Sequence, residues 1–176
     1  MSARTLAART LVARPLTADA FRPFGTVIDK ASVAPRPMNA GKARRYHDLA
    51  AVPVSGAESQ VVIGHVEAEP YPVPLVFSLV ERHPLGAQAF VPLDAAPFLV
   101  VVCPDADGSP GRPEAFLTAP GQGVCYAANT WHGVLTPFGA AQDFLVVDRG
   151  GPGVNLEEHV FDEPWTVVLP EGGGNG

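Results

Sequence analysis

The run Glu81-Arg82-His83-Pro84-Leu85-Gly86-Ala87-Gln88-Ala89-Phe90-Val91-Pro92-Leu93 decides how the rest of this chain is read. Residues 73–82 lead into it and residues 87–93 lie within it, and both have the β-branched and aromatic character of strands. Side chains alternate across a strand, so Glu81 and His83 point to one face. Pro84-Leu85-Gly86 then turns the chain, and Gln88 returns toward the same pocket from the neighbouring strand. A carboxylate, an imidazole and an amide would thus meet in one place. The plainer reading of the same residues is architectural: Glu81 and Arg82 form a solvated strand edge and His83 belongs to the turn.

The rhythm of this stretch continues in both directions. The chain contains 18 glycines and 19 prolines, which recur along its length. Between them lie apolar segments at 25–29, 60–66, 98–103, 115–118, 124–126, 132–136, 143–147 and 165–169. Many short strands separated by turn residues predict an all-β sandwich or barrel. Helical periodicity is scarce. Thr17 can cap a turn or two through Phe21, and a second helical turn is expected around residues 156–159. The loop at 30–41 is proline-rich and ends in Met38-Asn39-Ala40-Gly41, while residues 104–113 (PDADGSPGRP) have hairpin chemistry. One domain is expected over residues 12–170. An N-terminal extension (1–11) precedes it and a disordered, glycine-rich tail (171–176) follows it.

At 176 residues the chain suits a single core, and 47% apolar against 17% charged residues mark it as globular. The net charge of −6 and scattered cations give no basic stripe, which argues against nucleic acid. No apolar run approaches the roughly 20 residues of a membrane span. Arg4, Arg9 and Arg14 interrupt the N-terminal apolar pieces, so no signal-peptide core forms there. An Arg-rich transit leader is the other reading of that segment. Cys103 and Cys125 form no C-x-x-C pair and read as free thiols in a reducing cytoplasm.

Two spacings resemble the motifs of cupins. The first, H-x-H-x3–4-E, is approximated with Glu81 in place of the first His, His83 as the second, and Gln88 in place of the Glu. The second, G-x5-P-x-G-x2-H, matches Gly121 to His132, with Ala127 at the proline place and Asn129 at the second glycine place. Asn tolerates a left-handed backbone better than other non-glycine residues, so Asn129 is a sensible substitute. The pocket would be lined by Glu81, His83, Gln88 and His132. These could hold a divalent metal of the Ni or Mn type, although Gln is a poor ligand and no soft sulfur is present.

More specific runs carry a further resemblance. Asn39-Ala-Gly41, Arg45-Tyr46-His47-Asp48-Leu49-Ala50, the run at 81–93, Asn129-Thr130-Trp131-His132 and Asp143-Phe-Leu-Val-Val-Asp148-Arg149-Gly150-Gly151 resemble the ureidoglycolate lyase family, in order. The resemblance implies a cupin-like double-stranded β-helix, usually a homodimer, that splits ureidoglycolate into glyoxylate and urea during purine breakdown. It also implies an associated divalent metal. Such chemistry needs a base for the hydroxyl proton, an acid for the departing nitrogen and an anchor for the carboxylate. His132 is the first choice for acid/base or ligand, and His83 the second. Gln88 would hold the ureido group or the hydroxyl. Arg45 suits the carboxylate, with Asn39, Tyr126 and Asp143 as further substrate-binding candidates. Asp143 would orient a histidine or hold Arg149. Asp148 and Arg149 would shape the Gly150-Gly151 turn, and His47, His65 and His159 read as ordinary residues. Two other functions fit the same fold: a non-catalytic cupin that binds a small carboxylic acid as effector, or a metal-dependent cupin acting on another small hydroxy or keto acid.

Overall fold

The computed structural model describes residues 9–171. Its larger sheet runs, in spatial order, β1 (Thr10–Val12), β17 (Glu157–Val168), β7 (Leu75–Arg82), β14 (Trp131–His132), β9 (Phe98–Cys103), β12 (Glu114–Leu117) and β2 (Arg14–Pro15). β15 (Thr136–Pro137) also pairs with β9. The facing sheet has the order β3 (Gly25–Ile28), β13 (Gly123–Tyr126), β8 (Gln88–Pro92), β16 (Gln142–Gly150) and β6 (Gln60–Ala68). Two hairpins stand apart, β4 (Arg36–Met38) with β5 (Ala43–Arg45), and β10 (Asp105–Ala106) with β11 (Ser109–Pro110). This is the expected all-β, cupin-like barrel.

Strand β9 shows how the core is organised. All six of its residues are buried, because both of its faces are covered. Phe98, Val100 and Val102 join Phe90, Val124, Tyr126, Phe144 and Val146 of the facing sheet in the intersheet core. Leu99 and Val101 point the other way, into a second cluster with Leu11, Ala13, Leu75, Trp165 and Val167. A strand covered on both faces reads as a continuous apolar run, as residues 98–103 (FLVVVC) do in the sequence. Each such side chain contributes about 1.5–3 kcal/mol on burial.

The second cluster exists because the larger sheet closes. β1 pairs in parallel with β17 at one end, and β2 pairs in parallel with β12 at the other. Only Ala13 separates β1 from β2, and it is buried. Its N–H donates to Val168 O at 2.9 Å, and Leu16 N–H donates to Leu117 O at 2.8 Å. One short segment therefore joins the two edges of the sheet and removes both as sticky strand edges. Part of the stretch expected as an extension, Thr10 and Leu11, belongs to this closure. The remaining expectations for residues 1–8 and for the tail at 172–176 lie outside the described residues.

The helix at Thr17 forms as α1 (Ala18–Phe21), with Thr17 Oγ1 accepting from Ala20 N at 3.3 Å. It inserts the fully buried Phe21 against Phe24, Phe116 and Tyr126, with ring centroids 6.0–6.1 Å apart. The second expected helical turn, around 156–159, is corrected by the structure. Glu157, Glu158, His159 and Val160 are strand residues paired with Arg82, Glu81, Val80 and Leu79. The ladder offered by β7 outweighs a weak local preference. A 3-10 turn forms instead at Lys30–Ser32, where Asp29 accepts from Ala31 N at 2.8 Å. Both cysteines are free, as expected, and both are buried. Among the described residues, no helix is long and apolar enough to cross a membrane.

Candidate active site

The turn at 83–87 does more than reverse the chain. It carries the backbone from β7 in the larger sheet to β8 in the facing sheet. Gln88 therefore comes from across the sandwich, not from a neighbouring strand of the same sheet. Alternation along β8 places it on the face of Phe90, which lies in the intersheet core. On β14, His132 is in register with Glu81 on one side and Val102 on the other. Cross-strand partners share a face, so His132 and Glu81 also look into the intersheet space that Val102 fills. Asn129 has φ 68°, the left-handed backbone that the motif requires. Its N–H donates to His83 O at 2.9 Å, which ties the second motif to the first.

Five of the predicted residues converge. The rings of His83 and His132 lie 5.3 Å apart, and Glu81 Oε1 is 3.8 Å from His83 Nε2. Tyr126, in register with Gln88, stacks flat on His132 at 4.2 Å with an interplanar angle of 4°. His83 Nδ1 lies 2.7 Å from Asn155 O, and His132 Nδ1 lies 3.0 Å from Gly133 O. A carbonyl only accepts, so both Nδ1 atoms carry the proton and donate it. In the neutral rings the lone pairs are consequently on Nε2. Both Nε2 atoms, and Gln88 Oε1, are buried without a hydrogen-bond partner. Unsatisfied buried polar atoms are rare and costly; here three of them belong to one cluster.

The electrostatics separate the roles. His132 is 2% exposed, and burial pushes its pKa down to about 4; the Gly133 carbonyl opposes this shift and His83 reinforces it. It is therefore a neutral acceptor near pH 7. Burial raises the Glu81 pKa, with His83 opposing and Glu158 adding to the shift. Burial likewise raises the Tyr126 pKa, and Glu81 adds to it. Ligand-type atoms of Glu81, His83 and His132 all lie within 4.8 Å of one another. Two imidazoles and a carboxylate form a borderline N/O set suited to a first-row divalent ion. The unpartnered Nε2 atoms, each backed by an Nδ1–H bond to a carbonyl, are what such an ion needs.

The other candidates lie elsewhere. Arg45 ends β5 opposite Arg36, exposed on the isolated hairpin. Asn39 sits in the turn of that hairpin at φ 52°. Asp143 is exposed on β16, with its carboxylate 3.7 Å from His65 Nε2; it holds neither Arg149 nor a histidine of the interior cluster. Two contributors escaped the sequence reading. Glu158 is paired in register with Glu81, and Asn155 grips the 83–85 turn. The misread helical turn at 156–159 hid Glu158, which is a strand residue there.

Fold and cluster together define a cupin-like β-barrel with an interior imidazole–carboxylate site. The model of the ureidoglycolate lyase family matches residues 8–168, and the chain belongs to that family. A protein named ureidoglycolate lyase from Chelativorans sp. (strain BNC1) is 59% identical over 157 residues, covering 89% of this chain and 95% of that one. A second, from Mesorhizobium japonicum, is 56% identical over 156 residues, covering 89% and 96%. A third, ureidoglycolate lyase 2 from Rhizobium meliloti (strain 1021), is 54% identical over 153 residues, covering 87% and 94%. The resemblance drawn from the signature runs is borne out.

Proposed function

We propose that the protein is an enzyme, a ureidoglycolate lyase, that cleaves ureidoglycolate to glyoxylate and urea. The observation that carries this reading is the meeting of Glu81, His83 and His132, with two unpartnered Nε2 atoms, in a chain of this family. The substrate is a carbinolamine, and its collapse moves one proton from oxygen to nitrogen without consuming water. The Glu81 carboxylate accepts the hydroxyl proton as the carbonyl forms. It returns that proton to the ureido nitrogen as the C–N bond breaks. Its raised pKa makes it a stronger base than an exposed carboxylate and keeps the proton in place for that second transfer. Gln88 Oε1 accepts from an N–H of the ureido group. Tyr126 stacks on His132 and holds its ring in place.

His83 and His132 would hold a divalent ion of the Ni or Mn type through their unpartnered Nε2 atoms, leaving the Glu81 carboxylate for proton transfer. Such an ion supplies Lewis-acid chemistry, acidifying the substrate hydroxyl without redox change. Burial of His132 favours a ligand role over that of general acid. For the substrate carboxylate, Arg45 and Asn39 on the β4–β5 hairpin remain the proposed anchor. Nearer cations are engaged: Arg82 Nε donates to Glu157 at 2.6 Å, and its guanidinium covers Trp131 at 4.3 Å. A cytoplasmic homodimer belongs to the same reading.

The test is release of urea and glyoxylate from fresh ureidoglycolate, measured against spontaneous decay, with and without added Ni²⁺ or Mn²⁺. Acceleration is expected; rates equal to the background under every condition would overturn the proposal.

A further inference from the structure

We infer that Arg149 and Asn155 form a positioning brace that fixes the tautomer and aim of His83. This rests on His83 being a residue of the proposed site. The starting point is an arginine with unusual partners. Arg149 lies one residue before the end of β16 and is only 9% exposed, yet among the described residues it has no carboxylate partner. Its Nε donates to Ser55 O at 2.7 Å, its Nη1 to Gly151 O at 3.2 Å and its Nη2 to Pro152 O at 2.6 Å. A buried cation needs hydrogen-bond acceptors, and here carbonyls from two separate segments take one bond from each of its three nitrogens.

Both segments grip the turn that carries His83. From the first, Ser55 N–H donates to Leu85 O at 2.8 Å, and Ala87 N–H donates to Pro53 O at 2.9 Å. From the second, Asn155 Oδ1 accepts from Leu85 N at 2.8 Å, and Asn155 O accepts from His83 Nδ1 at 2.7 Å. The turn also lies directly on the arginine stem. A Cβ at Gly86 would come within 2.7 Å of Arg149 Cβ, so only glycine fits there. Gly86 and Arg149 are thus two halves of one device, although 63 positions separate them in the sequence.

The consequence for His83 is chemical. The Asn155 carbonyl must receive a proton, so it holds the neutral ring as the Nδ1–H form. The remaining lone pair is then on Nε2, the atom beside Glu81. Lysine at 149 would keep the charge, but it lacks the planar fork that reaches carbonyls on two segments.

The experiment reads the tautomer and the ion affinity of the full-length, metal-free chain, without substrate. Histidine-selective ¹⁵N NMR of the wild type should show His83 with a protonated Nδ1 and a pyridine-type Nε2. Asn155→Ala should mix the tautomers and weaken Ni²⁺ binding, by calorimetry, about 10–100-fold. Asn155→Asp keeps an acceptor oxygen for Leu85 N and should restore both. Arg149→Lys should act in the same direction; if it fails to fold, the two Asn155 variants carry the test. An Nε2–H tautomer in the wild type would overturn the inference. So would an Asn155→Ala chain with unchanged tautomer and affinity, or one that Asn155→Asp does not rescue. Neither readout uses ureidoglycolate, so failure of the lyase reading and failure of the brace are distinguishable.

Discussion

Two trios in this molecule contain the same kinds of donor. In the interior, Glu81, His83 and His132 bring ligand-type atoms within 4.8 Å of one another; on the sheet edge, His65, Glu67 and Asp143 do the same. The edge trio is built simply, since Asp143 pairs with Glu67, and Leu145 with His65, across β16 and β6. Its His65 and Asp143 side chains are 52% and 54% exposed. Water solvates every donor there, and salt screens the charges. The interior trio differs in its surroundings. His83 and Glu81 are only 16% and 23% exposed, each Nδ1–H is committed to a carbonyl, and each Nε2 is left without a partner. Residue type does not make the site; enclosure and fixed tautomers do.

The sharpest way to break this contrast is to remove one imidazole from each trio. His132→Ala should lower the rate of urea release more than about 100-fold, since losing a ligand costs more than losing a supporting contact, whereas His65→Ala should leave it unchanged. Near-normal turnover by His132→Ala would move the chemistry away from the interior. Ion binding offers a second test. Calorimetric titration with Ni²⁺ should show a tight site that His83→Ala weakens more than 100-fold, beyond what loss of a supporting contact causes. The double variant His65→Ala/Asp143→Ala should retain it.

The sequence exposed the interior trio only in part, for physical reasons. Period-two alternation placed Glu81 and His83 on one face, and the left-handed requirement at Asn129 pointed to His132. Strand β9 was found with its observed bounds because burial on both faces leaves an unbroken apolar run. Alternation says nothing about which sheet a strand joins, so Gln88 was assigned to a neighbour instead of to the opposite sheet. β1 and β2 were missed because they are three and two residues long and are held by partners more than 100 positions away. Asn155 acts through its backbone carbonyl and one amide oxygen, neither of which any spacing rule reports. Asp143 belongs to a recognisable run, yet alternation along β16 turns its side chain outward while Phe144 fills the core.

The two thiols extend the argument about enclosure to residues outside either trio. Burial raises Cys103 to about 12, with Glu114 adding, and burial raises Cys125 to about 11. Neither should react with a thiol reagent at pH 8 in the native chain, and both should react once it is unfolded. The pH dependence has a definite sign. The folded state keeps protons that the unfolded state begins to release near pH 9, so stability is unaffected below that pH and falls above it. At pH 10 the loss is about 1 kcal/mol per thiol, read as a lowered Tm. Rapid native labelling at pH 8 would show that the interior opens readily, and would weaken the contrast in enclosure between the two trios.

The smallest expected effect bears hardest on the edge trio. His65→Ala and Asp143→Ala should each change stability within about 0.5 kcal/mol, as exposed substitutions usually do. The pair lies 3.7 Å apart on an exposed face, a geometry in which side-chain entropy and screening offset most of the attraction. Turnover should likewise stay within about twofold, because an acid/base or anchoring group contributes far more than that. If Asp143→Ala alone raised KM strongly while leaving Tm and Ni²⁺ affinity intact, the edge would be part of the substrate's path. The outward turn of β16 would then be how this barrel presents a second polar group to its ligand, and enclosure would no longer separate the two trios.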